Sequence, residues 1–215
     1  MSDFVYRIRE AVNPKERPPA IFLLHGYGSH ADDLFSFAPY LPDSHTIIAL
    51  QAPLSLPFGG FAWYSINIDV TSGKWSDDDE ARKAIEFLLA TIPNLCQKHH
   101  LDTQDITLFG FSQGAILSWA IALDHPHLVR RVVALSGYVN WDIVATSMET
   151  IQEVPTIYAT HGTEDAIIPI DWARNSIVPL TQKNNTIVFH EFPDAHTVSQ
   201  ENFTKLLEWI ESTNQ

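Results

Sequence analysis

The sequence predicts an α/β fold in which helices cover both faces of a mostly parallel sheet. Short β-rich runs alternate with amphipathic helical runs along the chain, which is typical of parallel strands joined by helices. The run Ala20–Leu24 is apolar without interruption, as a strand buried on both faces should be. The 215 residues are 45% hydrophobic, which is enough for one core. We therefore expect residues 1–215 to form a single domain without a separate cap domain.

Seven runs of β-favouring residues predict the strands. The first alternates between polar and apolar residues and should lie at the edge of the sheet. In chain order the runs are Phe4–Arg9, Ala20–Leu24, His45–Leu50, Ile106–Phe109, Arg131–Leu135, Thr156–Thr160 and Thr186–Phe192. Between the third and fourth runs, Gln51–Ser76 is rich in Pro, Gly and aromatic residues and has no clean period. It predicts a long irregular loop, and such loops in compact domains often carry function.

Helical spacing of apolar residues predicts four helices. The first begins at Asp77-x-x-Glu80, a variant of the capping box, and should bend or end at Pro93. The second and third cover Gln113–Asp124 and Asp171–Leu180, and the last presents an apolar face of Phe203, Leu206, Leu207 and Ile210. The four acidic residues that open the first helix are interpreted as complementing its dipole. A metal site there is the alternative.

Composition restricts the possible partners and the location. Thirteen basic residues against 26 acidic ones give a net charge of −13, which repels nucleic acid and anionic membranes. No apolar run approaches the length of a membrane span, and the N-terminus does not read as a secretory signal. The one cysteine, Cys96, cannot form an internal disulfide and is expected to be a buried structural thiol. We therefore expect no nucleic-acid partner, no integral membrane association and a cytoplasmic location.

The segment Gly110-Phe111-Ser112-Gln113-Gly114 fits G-x-S-x-G, the pattern of a nucleophile held on a sharp turn from strand to helix. An apolar strand precedes it and an apolar helix follows. Small residues two positions before and after Ser112 let the turn close, and the helix N-terminus favours negative charge near the serine oxygen. Ser112 is therefore the candidate nucleophile. The alternative is an ordinary turn with a serine that caps the helix.

A serine hydroxyl needs a base, and the base needs an orienting acid. In this arrangement the chain order is Ser, then Asp or Glu, then His. Asp165 follows the strand Thr156–Thr160 directly, with the adjacent Glu164 as the competing candidate. His196 follows the strand Thr186–Phe192 and precedes the last helix. Asp165 and His196 are therefore the predicted acid and base.

The remaining histidines have other interpretations. His190 lies inside a strand and should point elsewhere, and His30 and His45 are expected to be exposed. His99 and His100 end the first long helix, while His125 and His127 flank a proline in a loop. None pairs with a second histidine and a carboxylate at the spacing of a metal site. We therefore expect no catalytic metal.

Backbone N–H groups must stabilise the oxyanion of the transition state. Gln113, the residue after the nucleophile, is expected to supply one of them. The segment His25-Gly26-Tyr27-Gly28 directly follows Ala20–Leu24, and its glycines permit close approach to a substrate. Tyr27 is the second candidate donor, and His25 is expected to hold this loop. The alternative is a glycine-rich turn without a role.

These motifs together resemble the phospholipase/carboxylesterase family of α/β-hydrolases, which includes acyl-protein thioesterases and small bacterial carboxylesterases. The resemblance spans about residues 20 to 210 and rests on Leu24–Gly28, Ala62–Tyr64, Gly110–Gly114, His161–Asp165 and Ala195-His196. Two departures occur: Ala195 stands where Gly is common, and Ser65 where the aromatic motif commonly continues with Asp. The second departure falls in the predicted substrate loop and bears on specificity more than on chemistry.

The resemblance implies a serine hydrolase of the α/β-hydrolase fold that needs no metal or cofactor and acts on small acyl esters, thioesters or lysophospholipids. It implies that Tyr27 and Gln113 form the oxyanion hole, and that the chain can form a homodimer. Four aromatic residues are expected to line the acyl site: Phe58, Phe61, Trp63 and Tyr64. The alternative is that Trp63 and Phe61 cover the core. The alternative functions are a peptidase or lactonase on the same scaffold and a ligand-binding protein without turnover. A dinucleotide-binding protein is excluded because no G-x-G-x-x-G follows the first strand.

Overall fold

A mostly parallel sheet forms the centre of the computed structural model, which describes residues 4–12, 14, 16–66, 76–151 and 153–214. Within these ranges the strands are β1 (Tyr6–Arg9), β2 (Ala20–Leu24), β3 (Thr46–Leu50), β4 (Leu54–Ser55), β5 (Phe61–Ala62), β6 (Ile106–Phe111), β7 (Arg131–Leu135), β8 (Thr156–Gly162) and β9 (Ile187–Phe192). The helices are α1 (Ala31–Phe35), α2 (Asp78–Lys98), α3 (Gln113–Asp124), α4 (Ile170–Lys183) and α5 (Gln200–Thr213), with 3-10 turns at Ala38–Tyr40 and Pro126–Leu128.

The strand order of the main sheet brings the candidate residues to one edge. Seven strands pair in the order β1-β3-β2-β6-β7-β8-β9. Only β1 runs antiparallel to its neighbour, and every other pairing in this sheet is parallel. The loops that follow β2, β6, β8 and β9 therefore all leave the sheet at the same edge, which is where ligands bind in such sheets. The predicted edge position of the first strand is confirmed.

Helices pack on both faces of this sheet, as predicted. Alternate side chains of one strand face opposite sides: in β2, Phe22 and Leu24 pack with the residues of α2, α3 and α4. The intervening Ile21 and Leu23 pack with the residues of α1 and α5. All five residues of β2 are buried, which explains the continuous apolar run in the sequence.

Helix α2 differs from the sequence prediction because Pro93 lies within it and the helix continues to Lys98. A proline inside a helix removes one backbone hydrogen bond. Here the residues on either side, Ile92 and Leu95, are buried in the core, and their packing holds the helix together beyond the proline. Since tertiary packing supplies most helical stability in proteins, local sequence alone could not show that the helix persists.

The N-terminus of α2 confirms the helix start but only half of the capping box. The Asp77 carboxylate accepts the N–H of Glu80 at 3.0 Å. The Glu80 carboxylate does not return to Asp77 and instead accepts the N–H of Ser65 at 2.7 Å. The acidic start of α2 thus anchors Ser65, the residue that follows Trp63 and Tyr64. A local motif could not reveal this contact.

The predicted irregular loop contains regular structure. Strands β4 and β5 pair as a two-stranded antiparallel ribbon within Gln51–Ser76, while residues 67–75 of that loop lie outside the described residues. Helix α1 was not predicted either. The expectation that His45 is exposed was wrong, because its residue is only 2% exposed. The Arg9 guanidinium donates to the carbonyl of His45 at 3.1 Å. This hydrogen bond ties the turn before β3 to the edge strand.

Two further expectations concern individual features. Cys96 is buried as expected, and burial raises the pKa of its thiol to about 11, which keeps the thiol protonated and unreactive. Among the described residues, none of the helices has the length and apolar character needed to cross a membrane.

Candidate active site

Ser112 lies at the apex of the turn from β6 to α3. Its backbone has φ 53° and ψ −116°, a region that residues with a side chain rarely adopt and that is often found at functional sites. The N–H of Ser112 donates to the carbonyl of Leu135 at 2.9 Å, which ties the turn to β7. Its hydroxyl makes no capping hydrogen bond to α3. The alternative of an ordinary capping serine is therefore wrong.

The glycines on either side of Ser112 are required by close backbone approach. A Cβ atom at Gly110 would overlap the carbonyl of Gly114 across the turn. A Cβ atom at Gly114 would overlap the carbonyl of Leu24 at the end of β2. The G-x-S-x-G spacing thus lets the start of α3 press against two strand ends and presents the serine hydroxyl above them.

The structure brings Ser112, His196 and Asp165 into one line of hydrogen bonds. His196 Nε2 lies 3.0 Å from Ser112 Oγ, and His196 Nδ1 lies 2.6 Å from Asp165 Oδ2. Ser112 and Asp165 are each 7% exposed, while the competitor Glu164 is exposed. The geometry is that of a nucleophile, a base and an orienting acid.

The Asp165 carboxylate is held from both of its oxygens. Its Oδ1 accepts the N–H groups of Ile167 and Ile168 at 2.8 and 2.9 Å, which forms a tight turn after β8. Its Oδ2 faces His196 and also lies 3.3 Å from Nε2 of a second histidine, His161. These contacts fix the position of the carboxylate, so Asp165 can orient His196.

His161 is a site residue that the sequence analysis did not identify. It is fully buried, and its Nε2 lies 2.8 Å from the carbonyl of Ile168 while its Nδ1 lies 3.2 Å from the carbonyl of Gly137. The ring therefore joins the turn that carries Asp165 to the segment after β7. The sequence signals were its position at the end of the strand that precedes Asp165 and its place at the start of the motif His161–Asp165.

We expect His161→Phe to lower the free energy of unfolding by roughly 1–3 kcal/mol. The substitution preserves an aromatic ring but removes the ring N–H, which leaves at least one buried carbonyl group without its donor, and such an unsatisfied group costs about that much. Urea denaturation measures the change. The matched control is His190→Phe, since His190 is exposed on β9; equal stability losses in the two variants would contradict the role given to His161.

The loop after β2 is pinned beside Ser112. The N–H of Gly28 donates to the carbonyl of Phe61 at 2.9 Å, and the N–H of Phe61 donates to the carbonyl of Ser29 at 2.8 Å. Neither bond uses the N–H of Tyr27, the predicted oxyanion donor between them. Gln113 is the first residue of α3, and the N–H groups of a first helical turn have no acceptor within the helix. Tyr27 and Gln113 both border the same cavity as Ser112.

His25 has the structural role expected for it. Its buried ring accepts the N–H of Ala52 at Nε2, 3.0 Å away, and bonds the carbonyl of Gly26 at Nδ1, 2.8 Å away. The carbonyl of His25 accepts the indole N–H of Trp63 at 2.8 Å. Burial lowers the pKa of His25, which favours the neutral ring that this pair of contacts requires.

The side chain of Gln113 has a role that the sequence did not suggest. Its amide oxygen accepts the N–H of Trp63 at 3.1 Å, and its amide nitrogen donates to the carbonyl of Tyr64 at 2.8 Å. The side chain is buried, so both bonds are shielded from water. Gln113 thus holds the backbone of Trp63 and Tyr64 against the start of α3, beside the nucleophile.

A cavity of about 290 Å³ opens beside Ser112 and His196. The wall of this cavity is largely apolar, and we call the space the apolar cavity. Its remaining lining residues are Tyr27, Tyr64, Ile66, Ser76, Gln113, Ile116, Tyr138, Ile167, Ile168 and Trp172. Burial raises the pKa of Tyr64 well above its ordinary value and that of Tyr138 to about 12, so both of these phenols stay neutral.

The four aromatic residues predicted to line the acyl site divide between different positions. Tyr64 lines the apolar cavity. Trp63 does not, because it is 1% exposed and packs against His25 in the core. Phe58 and Phe61 are also absent from the cavity wall: Phe58 is 73% exposed with its ring 6.3 Å from that of Tyr27, and Phe61 belongs to the β4–β5 ribbon. The lining prediction was therefore wrong for Trp63, Phe58 and Phe61, since aromatic content does not reveal which way each ring points.

Other clusters of ligating side chains do not add a second centre. Among residues 4–12, 14, 16–66, 76–151 and 153–214, no group of three or more His, Cys, Asp or Glu is arranged to hold a metal ion. In the acidic start of α2, Asp78 accepts from Ser76 and Asn140, and Asp79 pairs with Arg82. These carboxylates have protein partners, in agreement with their interpretation as part of a helix start.

Comparisons with known proteins show the family of this chain. The model of the phospholipase/carboxylesterase family matches residues 8–214. The acyl-protein thioesterase 1 of Debaryomyces hansenii is 29% identical, and the match covers 98% of each chain. The esterase YpfH of Escherichia coli is 28% identical over 70% of this chain and 63% of its own length.

Solved structures show the same fold at lower identity. Esterase PE8 superposes with a TM-score of 0.82 at 23% identity, covering 97% of this chain and 98% of its own. The acyl-protein thioesterase 2 of Zea mays gives a TM-score of 0.72 at 19% identity, covering 98% of this chain and 99% of its own. The α/β-hydrolase fold expected from the sequence is thereby confirmed.

Proposed function

We propose that Ser112, His196 and Asp165 carry out the reaction of this chain, which belongs to the phospholipase/carboxylesterase family and is therefore a carboxylic ester hydrolase. The observation that carries this assignment is the continuous line of hydrogen bonds from Ser112 Oγ through the ring of His196 to Asp165. The alternatives of a binding protein without turnover and of a peptidase or lactonase are not favoured by this relationship.

The proposed reaction proceeds through an acyl-enzyme. His196 Nε2 takes the proton of Ser112 as Oγ attacks the acyl carbonyl, and Asp165 stabilises the resulting imidazolium. The N–H groups of Tyr27 and Gln113 hold the oxyanion. When the bond to the leaving oxygen or sulfur breaks, His196 returns the proton to that atom. Water activated by the same ring then cleaves the acyl–Oγ bond, which releases the acid and restores Ser112. These groups and water complete the chemistry without a metal or cofactor.

The apolar cavity is the proposed site of the acyl chain. Isoleucines 66, 116, 167 and 168 contribute most of its aliphatic wall, and each methylene group buried against such a wall contributes about 0.8 kcal/mol. Its volume of about 290 Å³ suits an acyl chain of medium length. We therefore infer that medium-chain esters are better substrates than acetate.

Hydrolysis of p-nitrophenyl esters from acetate to dodecanoate tests this function. We expect turnover by the purified protein, with kcat/KM rising from acetate to a medium-chain optimum and falling for dodecanoate. A rate equal to that of buffer across the whole series would contradict the esterase proposal. A flat profile would contradict the assignment of the acyl chain to the apolar cavity.

We expect Trp172→Ala to move the optimum to longer acyl chains. Trp172 lines the apolar cavity and packs edge-on against Tyr138, with ring centroids 5.3 Å apart, so its removal lengthens the space available to the chain. The ratio of kcat/KM for dodecanoate to that for octanoate should rise about tenfold. The same ester series measures the shift.

The matched control is Trp141→Ala. Trp141 is also partly buried against the core but does not line the apolar cavity. Its loss should lower stability without changing the chain-length profile. A parallel shift in both variants would show that the profile responds to general loosening of the fold and would contradict the cavity assignment.

We also propose a cytoplasmic location and a homodimer. The buried, unreactive thiol of Cys96 supports the location. The dimer rests on the family relationship alone. Light scattering on the purified protein tests it, with twice the chain mass of 24.2 kDa expected; a mass of one chain would contradict it.

A further inference from the structure

A second depression opens at Ser112 besides the apolar cavity. It measures about 390 Å³ and shares Ser112, His196 and Tyr27 with that cavity. Its other side chains are Ser29, His30, Asp33 and Phe111, set among glycines of the loop after β2. We call this depression the polar groove. The mechanism proposed above uses only its shared members.

The geometry of acyl transfer requires two separate spaces at Ser112. The tetrahedral carbon carries four substituents: Ser112 Oγ, the oxyanion, the acyl chain and the leaving atom. The oxyanion is assigned to the N–H groups of Tyr27 and Gln113, so the acyl chain and the leaving group must diverge from the same carbon. An acyl chain gains most from the apolar cavity. The leaving group therefore belongs in the polar groove, where His196 remains close enough to protonate it.

The walls of the polar groove suit a positively charged leaving group. The Asp33 carboxylate is exposed there and accepts the hydroxyl of Ser29 at 2.5 Å. Aromatic rings of Tyr27 and Phe111 border the same space, and ring faces attract quaternary ammonium groups. The overall charge of −13 makes the surrounding field negative. An anionic leaving group would meet repulsion from Asp33.

We propose that the polar groove binds the leaving alcohol of the substrate and that this alcohol carries a cationic group such as a quaternary ammonium. The proposal rests on the proposed function, since it requires acyl transfer at Ser112. It assigns Asp33 as a residue that determines specificity and not as a catalytic one.

Two neighbouring carboxylates provide a matched pair of variants. Asp33 lines the polar groove, whereas Asp32 is bound by both Nε and Nη2 of Arg7 at 2.6 and 2.9 Å and does not line it. Asp33→Asn and Asp32→Asn each remove one negative charge from the same short helix. The amide that Asp33→Asn introduces retains an oxygen that can accept the Ser29 hydroxyl, so the loop keeps its local bond.

The test compares octanoylcholine with 3,3-dimethylbutyl octanoate, two esters of nearly the same shape that differ in the charge of the leaving alcohol. Assays at pH 8.5 keep ordinary imidazoles uncharged. The ammonium group also activates the ester chemically, so the diagnostic quantity is the change between variants in the ratio of kcat/KM for the two esters. We expect Asp33→Asn to lower this ratio roughly three- to tenfold, mainly through a higher KM for octanoylcholine. The kcat/KM of the neutral ester should fall less than that of octanoylcholine, and its continued hydrolysis verifies that the variant is folded.

Asp32→Asn should leave the ratio at its original value, and added salt should reduce it in the original protein more than in Asp33→Asn. An unchanged ratio in Asp33→Asn, with both esters hydrolysed, would overturn the groove assignment while the esterase function stands. An equal fall in both variants would overturn it as well, because the effect would then come from the general field. Absence of turnover for both esters and for p-nitrophenyl octanoate would contradict the proposed function itself.

Discussion

Replacing Ser112 by alanine should lower kcat for p-nitrophenyl octanoate by about 10⁴- to 10⁶-fold. The substitution removes the atom that forms the acyl-enzyme, while the oxyanion donors and the apolar cavity remain. The residual rate should reflect binding and oxyanion stabilisation alone. Because Ser112 and His196 act as one unit, the double variant Ser112→Ala/His196→Ala should be no slower than Ser112→Ala by more than a few fold. Steady-state assays of the three proteins measure this.

Ser118→Ala is the control for the loss of a buried serine. Ser118 lies within α3, the helix that follows the nucleophile, and donates its hydroxyl to the carbonyl of Gly114 at 2.7 Å. It does not border the apolar cavity, so its variant should retain nearly full kcat. Turnover by Ser112→Ala within tenfold of the original protein would show that another group attacks the ester.

Replacing Asp165 by asparagine should lower kcat by about 10⁴-fold with little change in structure. The carboxylate fixes His196 with its proton on Nδ1 and stabilises the imidazolium, whereas an amide can instead present N–H to that nitrogen and favour the wrong tautomer. The two backbone N–H donors from Ile167 and Ile168 reach Oδ1 and can still bond an amide oxygen. We therefore expect the loss in rate without a comparable loss of stability.

Glu164→Gln is the matched control for this substitution. Glu164 is the adjacent carboxylate in sequence, but its side chain is exposed and its N–H donates to the carbonyl of Asp194 at 3.0 Å. Its variant should keep kcat within about twofold of the original value. Similar losses in Asp165→Asn and Glu164→Gln would contradict the assignment of the orienting acid and indicate a general electrostatic effect.

Features that follow from burial on both faces of the sheet could be predicted from the sequence. The bounds of Ala20–Leu24 and Arg131–Leu135 are as predicted, because every residue of these strands is buried and strands buried on both faces carry a nearly continuous apolar run. The order of Ser112, Asp165 and His196 followed from the same logic. Each residue comes after a strand, and parallel strands bring their ends to one edge.

Features that depend on contacts distant in sequence could not be predicted. The side-chain amide of Gln113 forms hydrogen bonds with residues about fifty positions away in sequence. No local sequence pattern predicts these contacts. Trp63 and Tyr64 are neighbours in sequence and both are buried in the core, yet only Tyr64 also borders the apolar cavity. Pro93 broke a local rule and was tolerated because core packing on both sides of it outweighs one lost hydrogen bond.

The central claim is that Ser112 is activated by His196 and attacks the acyl group. A fluorophosphonate that carries an octyl chain tests this most directly, because an activated serine displaces its fluoride and keeps the phosphonyl group. Peptide mapping after complete inactivation should find one adduct, on Ser112, and none in His196→Ala treated in the same way. Complete inactivation with the adduct on another residue, or undiminished ester hydrolysis by a protein labelled fully at Ser112, would contradict the account.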